Sequence, residues 1–246
     1  MNITWQDLSF FLDKLKSLSV SKSIKLGDNG GFCVSTGYDL ESWVYYPARI
    51  RNSEIVERAI KFFRENKISF MWPVYDGGEK ILEDCGLLYA GSLTGMIYNP
   101  PSALQETSNY PSTLKATDWA QTAWRGFGGK AEEIPENYYK LVDALFNEPS
   151  FSMSAYTGKD TDNLKNYWGT YLLVNEPDAT GVYYFATVPE MRRQGIARAM
   201  MKNICRLSRG KKILLQATPA GLPFYKNFGF TELCKIPVYS DTSDVF

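Results

Sequence analysis

One order of elements occurs twice along this 246-residue chain. In the first half the strand-like run VYYPARI is followed by the amphipathic IVERAIKFFRENK, then by KISFMWPVY and by EKILEDCG. In the second half GVYYFATV is followed by EMRRQGIARAMMKNICRLSRG, then by KKILLQATP and by LPFYKNFG. Runs rich in β-branched and aromatic residues alternate with runs whose apolar positions recur every three to four residues, which predicts strands joined by helices. The chain is therefore of the α/β class, with a strand, a helix, a strand and a short helix repeated in two related lobes. A chain of this length also fits two cores better than one.

The rest of the chain fits around that repeat. The start, MNITWQDLSFFLDKLKSL, places apolar residues at helical spacing and carries Asp7 and Asp13, so it reads as an amphipathic helix on a core rather than a secretion signal. GFCVSTG and ESWVYYPARI read as strands, as does LLYAGSLTGMIY after the helix EKILEDCG. The stretch NPPSALQETSNYPST has no apolar period and is rich in Pro, Ser and Thr, which marks a linker with its boundary near Asn109 to Ser112. The expected lobes are residues 1–110 and 111–246. In the second, TDWAQTAWRGFGG and IPENYYKLVDALFN read as helices. SFSMSAYTG, YWGTYLLVN and GVYYFATV read as strands, the last two closed into a hairpin by NEPDATG. A long helix over EMRRQGIARAMMKNICRLSRG ends at Gly210, and GFTELCKIPVYS is a final strand.

Composition narrows the chemistry. There is no histidine, which excludes Ser-His-Asp and Cys-His hydrolysis and His-ligated zinc or haem. Lys plus Arg and Asp plus Glu both number 27, so the chain has no uncompensated positive field and no nucleic-acid partner is expected. No run reaches the roughly 20 apolar residues of a membrane span, and no membrane partner is expected. Cys33, Cys85, Cys205 and Cys234 are widely spaced without a CxxC pair, which favours reduced thiols and a cytoplasmic location. The sequence accommodates a monomer or a homodimer.

The motif with most chemical content is VPEMRRQGIARAM, between the strand GVYYFATV and the long helix. A strand that turns tightly into a helix leaves the first-turn N–H groups without intrahelical partners, directed at one point with the helix dipole behind them. The amides of Arg193, Gln194, Gly195, Ile196, Ala197 and Arg198 therefore form a candidate pyrophosphate site, with Arg192 and Arg193 adding charge at its mouth.

Arg192, Gly195 and Ala197 fall on the fixed positions of Q/R-x-x-G-x-G/A, and LLQATPAGLPFYKNFGF follows with an aromatic-glycine-aromatic ending. This pairing resembles the GNAT superfamily of acetyltransferases. The resemblance implies a GNAT fold, with a mixed, mostly antiparallel sheet flanked by helices in two tandem GNAT-like lobes. It implies acetyl-CoA as cofactor, with its pyrophosphate over Arg192 to Arg198 and its pantetheine arm beside Phe185, Ala186, Thr187 and Val188. The implied reaction moves an acetyl group to a primary amine of a small molecule or peptide, with a backbone N–H near Phe185 or Ala186 as oxyanion donor. Tyr225 stands where the family often carries a tyrosine that serves the leaving thiolate. The alternative is a protein that binds an acyl-CoA without turnover.

Departures from the family pattern bear on the mechanism. GVYYFATV has Gly181 and no acid where some relatives place a glutamate base, which leaves Glu132, Glu133 or another acid in the two helices that open the second lobe, acting through water, as candidates. Thr218 stands where many relatives have Asn, as a weaker contact to the cofactor amide. The first lobe has Leu82 in the place of Tyr225 and no glycine in YPARIRNSEIVERA, so it reads as a degenerate copy. Trp119, Trp124, Phe127, Tyr138, Tyr139 and Phe146 occupy the helices that cap the family's acceptor site, where rings pack a core or face a cationic amine.

Overall fold

A computed structural model describes residues 3–101, 114–157 and 167–242. The linker expected at Asn109 to Ser112, and with it the boundary between residues 110 and 111, lies outside the described residues. In chain order the elements are α1 (Ile3–Lys16), β1 (Lys22–Leu26), β2 (Gly31–Ser35), β3 (Trp43–Tyr45), α2 (Ser53–Asn66), β4 (Met71–Pro73), α3 (Glu79–Asp84) and β5 (Leu88–Tyr98). There follow α4 (Ala116–Gly126), α5 (Glu136–Phe146), β6 (Phe151–Tyr156), β7 (Gly169–Asn175), β8 (Ala179–Thr187), α6 (Ile196–Leu207), β9 (Lys212–Ala217), α7 (Leu222–Phe228) and β10 (Thr231–Ser240). Two compact units result, one of Met1–Met96 with Gln216–Phe246 and the other of Ile97–Leu215.

In the first unit the strands run in the order β1-β2-β3-β4-β10-β5. β3 and β4 are parallel through Trp43 and Met71, while β1–β2, β2–β3 and β4–β10 are antiparallel. The core gathers Leu26, Cys33, Val44, Val56, Phe63, Phe70 and Trp72 under α2, with Phe63 and Phe70 stacked at 4.3 Å between ring centroids. The helix α2 forms because Val56, Ala59, Phe62 and Phe63 recur at helical spacing and are buried. The C-terminal strand is held here by Tyr239, which packs into this core, and by Ser240, whose Oγ donates to the Phe70 carbonyl at 2.7 Å.

In the second unit the order is β9-β8-β7-β6, with β8 and β9 parallel and the other pairs antiparallel. Ile196, Met200, Met201, Ile204 and Cys205 give α6 its buried stripe. The one amide on that face, Asn203, donates to Tyr171 Oη at 2.8 Å, which satisfies a polar group that burial would otherwise penalise. The order strand, helix, parallel strand, short helix thus appears as β3-α2-β4-α3 and again as β8-α6-β9-α7, as the repeat predicts.

Two boundaries differ from expectation. β1 is an added strand whose sequence, KSIKL, is mostly exposed and so lacks the apolar alternation that would announce it. The helix expected from Glu190 begins only at Ile196, because Pro189–Met191 forms a single 3-10 turn and both Arg193 and Gly195 take positive φ. All four cysteines carry free thiols. No helix among the described residues is long and apolar enough to cross a membrane.

Candidate active site

β8 is the element around which the site forms. Its parallel pairing with β9 starts at Ala179 and ends at Gly181, opposite Leu214, although β8 itself continues to Thr187. The edge of β8 facing β9 is therefore opened over its second half. On the other edge the pairing with β7 resumes after a bulge, since Leu172 lies opposite Tyr183 but Thr170 lies opposite Ala186. Tyr184 sits in the bulge at φ 49°, a left-handed conformation that side chains rarely adopt and that recurs at functional sites. The Thr170 hydroxyl stabilises it by donating to the Tyr184 carbonyl at 3.2 Å.

The bulge decides which backbone groups face the opened edge. Val188 N–H donates to the Trp168 carbonyl at 3.0 Å, toward β7. Residues two apart on a strand share an edge, so Ala186 also addresses β7, while Phe185 and Thr187 address the opened side. Of the four β8 residues singled out by sequence, Phe185 and Thr187 thus have their backbone groups on the opened edge, where the Thr187 carbonyl accepts from Arg192 Nε. Ala186 has a packing task instead: a Cβ added to Gly126, at the end of α4, would lie 2.7 Å from the Ala186 Cβ. The helix α4 sits on β8 only because residue 126 is a glycine.

Beyond Thr187 the chain passes through Val188 and the 3-10 turn into the loop ahead of α6. The first backbone bond of the helix runs from Ala199 N–H to the Gly195 carbonyl at 2.9 Å, so the amides of Ile196, Ala197 and Arg198 precede it. Gly195 is the N-cap at φ 81°, and a Cβ there would meet nothing within 4 Å. Backbone conformation alone requires glycine at that position, and the space in front of the helix is open. Arg193, Gln194, Gly195 and Arg198 are exposed, Ala197 is half-buried, and Ile196 is buried as the first core residue of α6.

Arg192 does more than lend charge to the mouth. Its Nη2 donates to the Gly126 carbonyl at 2.9 Å and its Nε to the Thr187 carbonyl at 3.2 Å, which ties the end of α4 to the end of β8. Glu190 in the 3-10 turn pairs with Arg125 of α4, a second brace on the same loop. Neither Arg125, Gly126, Glu190 nor the Tyr184 bulge carries a sequence signal, because each acts through a partner distant in the chain.

The remaining candidates separate. Trp119 and Tyr138 are fully enclosed, and Trp119 Nε1 donates to the Ser154 carbonyl at 2.9 Å, so these two rings pack the core. Trp124, Tyr139 and Phe146 are half-buried. Phe127 is 61% exposed at the end of α4, with its ring 6.4 Å from that of Tyr184 at the bulge. Glu132 and Glu133 are exposed in a 3-10 turn, and Glu133 pairs with Lys130 at 2.8 Å.

Tyr225 and Thr218 belong to the other compact unit. Tyr225 is buried on α7 between Phe224 and Phe230, and burial pushes its phenol well above the ordinary range. The Thr218 hydroxyl accepts from Gly221 N–H at 3.3 Å, so it closes the turn into α7.

Residues 160–232 match the family model of the acetyltransferase (GNAT) domain. That segment resembles a GNAT domain. The match spans β7, the bulged β8, the loop with Gly195, α6, β9 and α7, whereas Arg125, Gly126 and Phe127 at the end of α4 lie outside it. The fold extends over nearly the whole chain. A GCN5-related N-acetyltransferase from Kribbella flavida superposes with a TM-score of 0.66 over 98% of this chain and 96% of its own, at 14% identity. A conserved protein of unknown function from Staphylococcus epidermidis gives 0.63 over 92% and 96%, at 10% identity. A tandem GNAT protein of the clavulanic acid biosynthesis pathway gives 0.56 over 96% and 94%, at 9% identity. At these identities the likeness is one of fold. No curated protein matches the sequence.

Proposed function

We propose that this GNAT protein transfers an acetyl group from acetyl-CoA to a primary amine of a small molecule or peptide. The observation that carries the reading is the early end of the β8–β9 pairing at Gly181, which opens a strand edge leading directly to the loop before α6. An extended chain of amides, such as pantetheine, fits the backbone groups of Phe185 and Thr187 as an added strand. A diphosphate fits the amides of Gly195, Ile196 and Ala197, where a Cβ at residue 195 would enter open space.

Acetyl-CoA would supply a thioester: the amine nitrogen bonds to its carbonyl carbon, the C–S bond breaks to release the thiolate, and the proton lost by the amine passes to water. The Phe185 N–H, aimed by the bulge, is the proposed hydrogen-bond donor to the carbonyl oxygen as charge grows there. Arg192 and the Arg125–Glu190 pair hold the loop in place so that little ordering is left to binding. Tyr225, from its place in the family motif, is the proposed donor to the thiolate. Its buried phenol stays protonated well into alkaline pH and acts by hydrogen bonding rather than by complete proton transfer. Phe127 and Tyr184 are the proposed wall for an aromatic or cationic amine.

Thiol release from acetyl-CoA across a panel of amines tests this reading, with turnover expected for at least one class. A second reading, acyl-CoA binding without turnover, draws on the lack of any carboxylate along β8. Tight CoA binding with no thiol release on any amine would establish the second reading and remove the first.

A further inference from the structure

We propose that the first unit holds a separate anion-binding cleft that takes a small phosphorylated molecule, a phosphate ester or a diphosphate, through Arg49 and Arg51. The cleft lies where the loops after the parallel strands β3 and β4 meet, outside the carboxyl ends of the two strands. Ligands of α/β units collect in such crevices, since successive loops diverge there and backbone groups point outward.

The two loops are joined by backbone. Ile50 N–H donates to the Gly77 carbonyl at 3.3 Å, and a Cβ at Gly78 would lie 2.5 Å from the Ile50 Cβ and 2.9 Å from its carbonyl oxygen. Gly78 also has φ 107°, so no other residue allows this approach without strain. The cleft is thus set by the fold before any ligand arrives. Its volume is about 610 Å³ and it opens broadly to solvent. Buried Ile50 with half-buried Gly78 and Ile81 forms the base, and exposed Arg49, Arg51 and Lys80 form the rim.

Charge gives the ligand class. Lys80 is partly neutralised by Asp84 at 3.1 Å, whereas Arg49 and Arg51 form no ion pair among the described residues. Arg49 and Arg51 both line the cleft, and guanidinium groups match the bidentate demands of phosphate oxygens. Glu79 is the one carboxylate on the rim: a Cβ at Gly77 would lie 3.6 Å from both Glu79 Oε2 and Arg49 Cζ. It tempers the field and sets an upper limit on how much anionic charge the cleft favours. By the repeat, the loop that carries Arg49 and Arg51 between β3 and α2 stands where the loop before α6 stands in the second unit, but it has no glycine.

Amide NMR of the full chain titrated with inorganic diphosphate tests the proposal. Shifts are expected at Ile50, Gly78 and Lys80, with an affinity that weakens as salt rises. Arg49→Gln with Arg51→Gln should weaken binding at these amides by about tenfold or more, and Glu79→Gln should tighten it. All three residues sit at the cleft surface, and the spectra themselves report whether each variant is folded. A parallel titration with CoA separates two sources of the same chemistry: shifts at these amides with CoA assign the diphosphate of a nucleotide, and shifts with free diphosphate alone assign a smaller ester. Absence of shifts at Ile50, Gly78 and Lys80, or equal affinity in the double arginine variant, would overturn the proposal.

Discussion

Gly195 and Gly210 make a matched pair for testing the cofactor loop. Gly195 stands at φ 81° before α6 and Gly210 at φ 80° after it, and an added Cβ meets nothing within 4 Å at either place. Alanine at either position therefore introduces the same backbone strain and no clash, about 1 kcal/mol. That strain corresponds to a fall in Tm of about 2–4 °C for a chain of this size. The 12 residues of α6, about 18 Å along its axis, lie between the two positions. Only Gly195 borders the amides assigned to the diphosphate, where a methyl group and a shifted loop would displace the ligand. Gly195→Ala should therefore weaken CoA binding by about tenfold, equivalent to about 1.4 kcal/mol, while Gly210→Ala leaves it within about twofold. Scanning fluorimetry measures the first quantity and calorimetric titration of CoA the second. Equal Tm losses with equal CoA affinities in the two variants would refute the assignment of the loop.

Further outcomes follow from the same geometry. Gly126→Val should push α4 off β8 at Ala186, costing about 1–3 kcal/mol and lowering kcat/KM, as melts and initial rates would show. Arg192→Leu removes two hydrogen bonds to carbonyls of α4 and β8, and should raise KM for acetyl-CoA more than it lowers kcat. Tyr225→Phe gives a pH signature: the native phenol titrates above the unfolded value near 10, so its contribution to stability is complete below about pH 10 and is lost as pH rises through the folded value. Wild-type stability should fall above pH 10 more steeply than that of Tyr225→Phe by up to about 1.4 kcal/mol per pH unit, and parallel slopes would contradict the burial of the phenol.

The parts that could be read from sequence are those determined by neighbours in the chain. Pro189 after a β-branched and aromatic run, then Gly195 before the apolar stripe of α6, specify a strand, a turn and a helix within about twenty residues. The repeat of β3-α2-β4-α3 was legible for the same reason. What depended on distant partners was not. The pairing of β10 with β4 rests on Tyr239 opposite Trp72 across more than half the chain, and nothing in TELCKIPVYS names that partner. The bulge at Tyr184 lies inside VYYF, a run that reads as uninterrupted strand, and only the register against Thr170 and Leu172 exposes it. Likewise, Arg192 was legible as charge near a phosphate, while its bracing of α4 depended on where the Gly126 carbonyl ends up.

The central claim is most directly tested by a crystal structure of the chain with CoA. The account predicts diphosphate oxygens about 3 Å from the amide nitrogens of Gly195 and Ile196, with the pantetheine amides bonded to Phe185 and Thr187 along the opened edge of β8. A CoA whose diphosphate lies elsewhere, with the Arg193 to Arg198 amides facing only solvent, would contradict it.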